Sequence, residues 1–293
     1  ELLYNRIPFS KILFMINLSL GVLSFLLLLH NSLQRNTLSP KAKTISRTAE
    51  TFFSVALYLA FIFHLAGYCL RWYIGGRIPL SNGYETMQFM ALCILLVACL
   101  LHRRFSFVLP FGFLLSGFAL LVSYLGQMNP QITPLMPVLV SPWLSIHVSL
   151  IMMSYALLAF IMLNGILALC LRKKESENNV SGNDAIQDNR IEQLTLVSRL
   201  LLYPATFFLG AGIFLGAVWA NVSWGRYWAW DPKEVWALIT FLVYGVAFHS
   251  QSLRIFRKPL FFHIYMILAF LTVLMTYFGV NYVLGGMHSY ANA

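Results

Sequence analysis

The chain has 293 residues, of which 59% are hydrophobic and 10% charged, and its mean hydropathy is +0.73. Soluble domains carry about 25% charged residues, so this composition excludes a water-soluble fold and calls for a bilayer. The 20 Lys and Arg against 10 Asp and Glu leave a formal charge of +10, which in a membrane protein is first a statement about orientation. A helix crossing a bilayer needs about 20 mainly apolar residues. Eight segments have that character, at roughly 10–31, 51–71, 84–101, 106–125, 143–171, 200–220, 233–251 and 260–283. Runs such as Phe52–Leu70 are apolar on every side, whereas the strands of a membrane barrel alternate. The expected fold is therefore all-α, a polytopic membrane bundle of about eight transmembrane helices.

The basic residues orient that bundle. The loops after the first, third, fifth and seventh spans hold Arg35, Lys41, Lys43, Arg47, Arg103, Arg104, Arg172, Lys173, Lys174, Arg190, Arg199, Arg254, Arg257 and Lys258, which is 14. The opposite face holds Arg6, Lys11, Arg71, Arg77, Arg226 and Lys233, which is six. The richer face is the cytoplasmic one, so both termini and the loops 72–83, 126–142 and 221–232 are expected outside, and nucleic acid drops out as a partner. The stretch 172–193 is hydrophilic and reads as a flexible cytoplasmic connector. It divides the chain into a five-span region (1–171), a connector (172–199) and a three-span region (200–293). The chain begins at Glu1 with no cleavable signal pattern, and reads as a piece of something longer or a processed product. Cys69, Cys93, Cys99 and Cys170 all lie in apolar stretches without C-x-x-C spacing, and read as small buried hydrophobes.

Five of the seven tryptophans fall within the 18 residues 219–236, as Trp219, Trp224, Trp228, Trp230 and Trp236. An interfacial aromatic belt is the plain reading, but a belt spreads over many helix ends and this cluster occupies one loop. A dense aromatic surface suits a flat conjugated ligand, through stacking and area burial. Within the same stretch, Asp231-Pro232-Lys233-Glu234 has the pattern of a capping box with proline at the first helical position. Asp231 and Glu234 are thus expected to fix the start of the seventh span, with no catalytic acid required.

Seven histidines occur, and ionisable groups within a bilayer are candidates for function. His102 beside Arg103 and Arg104 reads as a solvated residue, and His263 as one that snorkels from the inner end of the last span. His147 follows Ser141-Pro142-Trp143, a helix-start pattern, about one turn inside the outer end of the fifth span. His288 falls just past the outer end of the eighth. Both share the face and depth of the tryptophan loop, and two imidazoles there would meet the need of a six-coordinate haem. His249 is 17 residues beyond Pro232, about 25 Å of helical rise, so it belongs near the cytoplasmic side, either as a core histidine or as a second ligand site. His30 and His64 are weaker candidates.

The segment Trp224-Gly-Arg-Tyr-Trp-Ala-Trp-Asp-Pro-Lys-Glu-Val-Trp-Ala-Leu-Ile239 closely resembles the WWD motif of the haem-handling superfamily. Its continuation from Asp231 is similar to the CcsA family of System II cytochrome c biogenesis, and the related CcmF and CcmC proteins continue differently. The resemblance extends to Pro79-Leu-Ser-Asn-Gly-Tyr-Glu85, His147, His249 and the His288 tail. It implies that His147 and His288 are axial ligands of haem b at an outer site, with Trp224, Trp228, Trp230, Trp236 and Asp231 forming the platform. His249 matches a membrane histidine whose partner lies in CcsB, a separate protein or one fused ahead as CcsBA, which leaves His30 and His64 structural.

The implied activity is haem export and holocytochrome c synthase-type haem attachment. The CXXCH cysteines of apocytochrome c would add to the haem vinyls, in a bacterial inner membrane or a thylakoid membrane. The alternatives are a haem exporter or carrier passing haem to a chaperone without ligation chemistry, and a solute transporter with an aromatic vestibule. The lack of an internal repeat or a broken helix in the sequence gives the last no support.

Overall fold

The computed structural model describes residues 4, 6–34, 40–126, 130–132, 141–171, 182–250 and 252–284. Among them the α-helices are α1 (Phe9–Gln34), α2 (Pro40–Gly75), α3 (Gly83–Leu101), α4 (Val108–Leu125), α5 (Pro142–Leu171), α6 (Gly182–Trp224), α7 (Pro232–Val246) and α8 (Pro259–Leu274). A 3-10 turn, Ala247–His249, extends α7, and a π-helical segment, Met275–Leu284, extends α8. No strand occurs among the described residues, as the unbroken apolar runs require.

Seven helices are long and apolar enough to cross a membrane: Phe9–His30, Thr44–Gly75, Gly83–Leu101, Val108–Leu125, Pro142–Leu171, Arg190–Trp224 and Pro259–Leu284. The remaining one, α7, has 15 residues, and with its 3-10 turn it reaches about 28 Å, close to the thickness of a hydrocarbon core. The protein is an all-α integral membrane protein.

Helix contacts divide the chain into Glu1–Val140 and Ser141–Ala293. In the first unit α1 lies along α4, and α4 along α3. Small residues let the backbones approach: a side chain at Gly117 would meet the Leu18 side chain at 2.8 Å, and one at Gly21 would meet Leu114 at 2.9 Å. Asn17 Nδ2 donates to Ser116 Oγ across the same pair at 3.0 Å.

A buried ionic network closes one end of this unit. Arg71 Nε and Nη2 donate to Glu85 Oε1 at 3.1 and 2.9 Å, and Arg77 Nη1 donates to Glu85 Oε2 at 2.9 Å. Ser81 donates to the same Oε2 from its backbone and its hydroxyl, and Asn82 Oδ1 caps α3 by accepting from the Glu85 amide. The Pro79–Glu85 segment is thereby a structural knot. Gln88 continues it inward, donating to Ser10 Oγ at 2.8 Å and facing His64 Nε2 at 3.1 Å.

In the second unit α5 packs against α6 and α8, and α7 against α6, α8 and the π-helical segment. Ser154 Oγ donates to the Ala205 carbonyl at 2.8 Å, and Asn164 Nδ2 to Ser198 Oγ at 3.1 Å. These pairs run in opposite order along α5 and α6, so the helices are antiparallel.

Four expectations change here. Residues 182–193, expected in a flexible connector, belong to α6, because Ile191, Leu194, Val197 and Leu201 recur at helical spacing and the last three are buried. His263 does not snorkel: it is fully buried, with Nε2 2.9 Å from Thr195 Oγ1. His102 is not a solvated turn residue either, being buried with Nε2 3.0 Å from the Tyr58 hydroxyl. Among the cysteines only Cys93 is buried, while Cys69 and Cys170 are exposed. Helices facing acyl chains carry apolar residues outward, so hydrophobicity here does not imply burial; Leu200, Tyr203, Phe207 and Phe214 of α6 are likewise exposed.

Candidate functional site

The tryptophan loop spans the gap between the end of α6 at Trp224 and the start of α7 at Pro232. Its ends are fixed by hydrogen bonds that the sequence prescribes. Asp231 Oδ1 accepts from the Lys233 amide at 3.0 Å, completing the N-cap of α7. Glu234 Oε2 accepts from the Asp231 amide at 3.2 Å and from the Ala229 amide at 2.9 Å. One carboxylate therefore ties down two amides of the loop.

Two residues of the loop have left-handed backbone. Gly225 lies at φ +73° and Trp230 at φ +57°. A glycine adopts that region freely, but an L-residue with a large side chain pays about 1–2 kcal/mol. Trp230 is also 75% exposed. A strained backbone that pushes an indole outward is a feature found where a ligand is met.

The indoles do not form a single flat shelf. Trp228 and Trp230 meet edge to face, with centroids 5.9 Å apart and planes at 90°. Trp224 packs against the buried Trp219 at 4.8 Å and 66°. Trp236 sits on the first turns of α7, where its carbonyl accepts from Thr240 at 2.8 Å and from Thr276 at 3.2 Å.

His147 lies between α5 and α6, five residues after α5 begins at Pro142. Its Nδ1 is 2.6 Å from the Gly212 carbonyl oxygen. A carbonyl only accepts, so Nδ1 carries the proton, and in the neutral ring the lone pair is on Nε2. Metal-ligating imidazoles have this arrangement, one nitrogen donating to a backbone carbonyl and the other directed at the metal. The ring rests on Gly216, where an added Cβ would stand 2.7 Å from Cε1 and from Nδ1. One turn along α5, Ile151 occupies the corresponding place over Gly212. Gly212, Gly216 and Trp219 fall at i, i+4 and i+7, so they share a face of α6. That face carries the imidazole, then Trp219 and, through it, Trp224 of the loop.

The remaining expected site residues are dispersed. His249 is exposed in the 3-10 turn that ends α7, the end opposite Asp231. His288 lies outside the described residues. Among the described residues no group of three or more His, Cys, Asp or Glu could hold a metal ion. Sequence reasoning missed Gly212 and Gly216, although the run Gly210-Ala-Gly-Ile-Phe-Leu-Gly216 carries the small-x-x-x-small pattern of close helix packing. It also missed the bond from Lys233 Nζ to Asn281 Oδ1 at 2.9 Å, which ties α7 to the π-helical segment and has no local sequence signal.

The fold and the loop together define a polytopic membrane protein whose capped, tryptophan-rich loop follows the helix that carries the partner of a tautomer-fixed imidazole. Residues 80–288 match the cytochrome c assembly protein family, and the chain belongs to that family. It is 37% identical over 291 residues to Protein NrfI of Wolinella succinogenes, covering 99% of this chain and 31% of that protein. It is 37% identical over 232 residues to the cytochrome c biogenesis protein CcsA of Chlamydomonas reinhardtii, covering 75% of this chain and 63% of that protein. With CcsA of Prochlorococcus marinus strain NATL1A the identity is 31% over 310 residues, and 93% of each chain is covered. The chain thus spans about a third of NrfI and less than two thirds of the algal CcsA.

Proposed function

We propose that this chain moves haem b across the membrane and holds it at the outer face while it is joined to apocytochrome c, acting with a CcsB partner, separate or fused. The observation that carries the reading is the His147 imidazole, with Nδ1 bonded to the Gly212 carbonyl and its lone pair on Nε2, on the helix face that leads to the tryptophan loop. Haem is substrate here rather than a resident cofactor. In this reading His147 and His288 ligate the iron from its two faces. Trp224, Trp228, Trp230 and Trp236 cover the ring, and Asp231 with Glu234 holds the loop in place. His249, at the other end of α7, receives haem earlier with a ligand from CcsB. The 14-to-6 bias of basic residues supports an outer position for the tryptophan loop.

The chemistry needs no nucleophile from this chain. The two CXXCH thiols of the apocytochrome add across the vinyl groups: a carbon–sulfur bond forms on one vinyl carbon and the thiol proton passes to the other. The addition is redox-neutral and consumes no co-reactant. The protein contributes orientation, bringing thiols and vinyls together as one bound assembly.

The purified protein is expected to show the absorption bands of bis-imidazole haem. Either His147→Ala or His288→Ala should remove them and abolish cytochrome c maturation, with partial recovery on adding imidazole. A protein without such bands, or a His288→Ala variant that matures cytochrome c normally, refutes the proposal. Co-expression with an apocytochrome that acquires haem without thioether bonds would select the carrier reading instead.

A further inference from the structure

We infer that Gly216 is a positioning residue for the His147 imidazole: its missing side chain is the space that lets the ring lie against α6 and keep its bond to Gly212. This rests on the reading of His147 as a haem ligand. Three observations meet at this point. The Nδ1–H bond to the Gly212 carbonyl is short, at 2.6 Å, so the ring has a defined rotation and a defined tautomer. A Cβ at Gly216 would come within 2.7 Å of Cε1 and Nδ1 and 3.3 Å of Nε2, so the glycine touches the ring itself and not its stem. Ile151, the next residue of α5 on that side, sits so tightly over Gly212 that an added Cβ there would be 2.6 Å from its Cδ1. The helices are therefore close together one turn away as well.

When a methyl group is added at Gly216, the softest element is the imidazole, which turns about its own side-chain bonds. Turning it breaks the Gly212 bond, which frees the tautomer and moves Nε2. The fixed ring orientation supplied by a carbonyl partner is what gives a ligating histidine its basicity and aim. Gly216 thus acts on the ligand and not on haem.

Gly210 provides a matched control on the same helix. A Cβ there would meet Phe241 Cε2 at 2.9 Å, a comparable crowding against a different ring. The full-length protein carrying Gly216→Ala, Gly210→Ala or His147→Ala is purified in detergent with its co-isolated haem. Optical and electron paramagnetic resonance spectra are then recorded with and without added imidazole. Gly216→Ala is expected to lose the bis-imidazole spectrum and to regain it with imidazole, as His147→Ala does, while Gly210→Ala keeps it. If Gly216→Ala does not accumulate as folded protein, the double variant His147→Gly/Gly216→Ala should accumulate again and give an imidazole-dependent spectrum, since the colliding ring is gone. A Gly216→Ala spectrum identical to that of the unaltered protein overturns the inference, and so does a double variant that still fails to accumulate. If His147→Ala itself keeps the spectrum, the failure lies with the ligand assignment, and the proposed function falls with it.

Discussion

Trp230 and Trp219 belong to the same loop region but are built for opposite purposes, and replacing each tests that division. Trp230→Gly relieves a left-handed residue, which contributes about 1–2 kcal/mol. Against this stand about 0.5–1 kcal/mol for the extra freedom of glycine in the unfolded chain and about 0.5–1.5 kcal/mol for the lost edge-to-face contact with Trp228. At 75% exposure the indole leaves no cavity, so the terms cancel to within about 1 kcal/mol. Trp219→Ala, by contrast, empties a site where the side chain is 4% exposed and packed edge to face against Trp224, a change that costs about 3–5 kcal/mol in a packed interior. Thermal unfolding in detergent, followed by a thiol- or tryptophan-based signal, should show little change for Trp230→Gly and a large loss for Trp219→Ala. Haem retention should fall in Trp230→Gly despite its intact fold. A Trp230→Gly protein as unstable as Trp219→Ala would mean that the outward indole is a packing element. One that retained haem fully would remove Trp230 from the platform.

The capping carboxylates make a second test. Glu234→Ala should loosen the loop more than Asp231→Ala, read as faster proteolysis between Trp224 and Pro232, because Glu234 holds the Ala229 and Asp231 amides of the loop whereas the Asp231 side chain caps amides of α7 itself. Glu85→Ala should destabilise the first unit by about 3–5 kcal/mol, since Arg71 is left buried without its counter-charge; Arg77→Ala, which removes the more exposed of the two arginines, should cost less, and denaturation of the two variants ranks them. Lys233→Met removes a charge-assisted bond to Asn281, worth about 1.5–3 kcal/mol. Asn281 stands seven residues before His288 in sequence, and the variant should show the imidazole-rescued spectrum of His288→Ala; an unaltered spectrum would rule out this coupling.

The class of fold was legible because hydropathy states it directly: apolar runs of span length leave no other solution in a bilayer. The capping box was legible too, since Asp231, Pro232 and Glu234 act on backbone atoms within three residues. What sequence could not supply was partnership across helices. His263 and His102 were read from their neighbours in the chain, yet their partners, Thr195 and Tyr58, lie 68 and 44 residues away. The cysteines at 69 and 170 were misread for a different reason, because a lipid-facing side chain is as apolar as a buried one. The tryptophans were visible as a cluster, while Trp219 is buried by its place on the packed face of α6 and Trp230 is turned outward by a left-handed backbone that no residue type announces. In the candidate site His147 was legible as a candidate from its place near a helix start, but its tautomer came only with the Gly212 carbonyl.

That carbonyl also bears on why the His147 imidazole and the loop belong to one helix pair. Gly212, Gly216 and Trp219 share a face of α6, and Trp224, packed on Trp219, begins the loop. A displacement of α6 along its axis would therefore carry the partner of the imidazole and the root of the loop together, keeping their separation. The other end of the loop is set by α7, which is tied to the π-helical segment by Thr240 and Thr276, 3.0 Å apart, and by Lys233 and Asn281. The loop thus hangs between two fixed roots, and its free variables are few: the glycine at 225 and the strained Trp230. Under the proposed function, in which the site takes up a large planar substrate and releases it joined to another protein, preformed roots would keep the ordering cost of binding low. The strain at Trp230 confines the adjustable part to the one indole that faces outward.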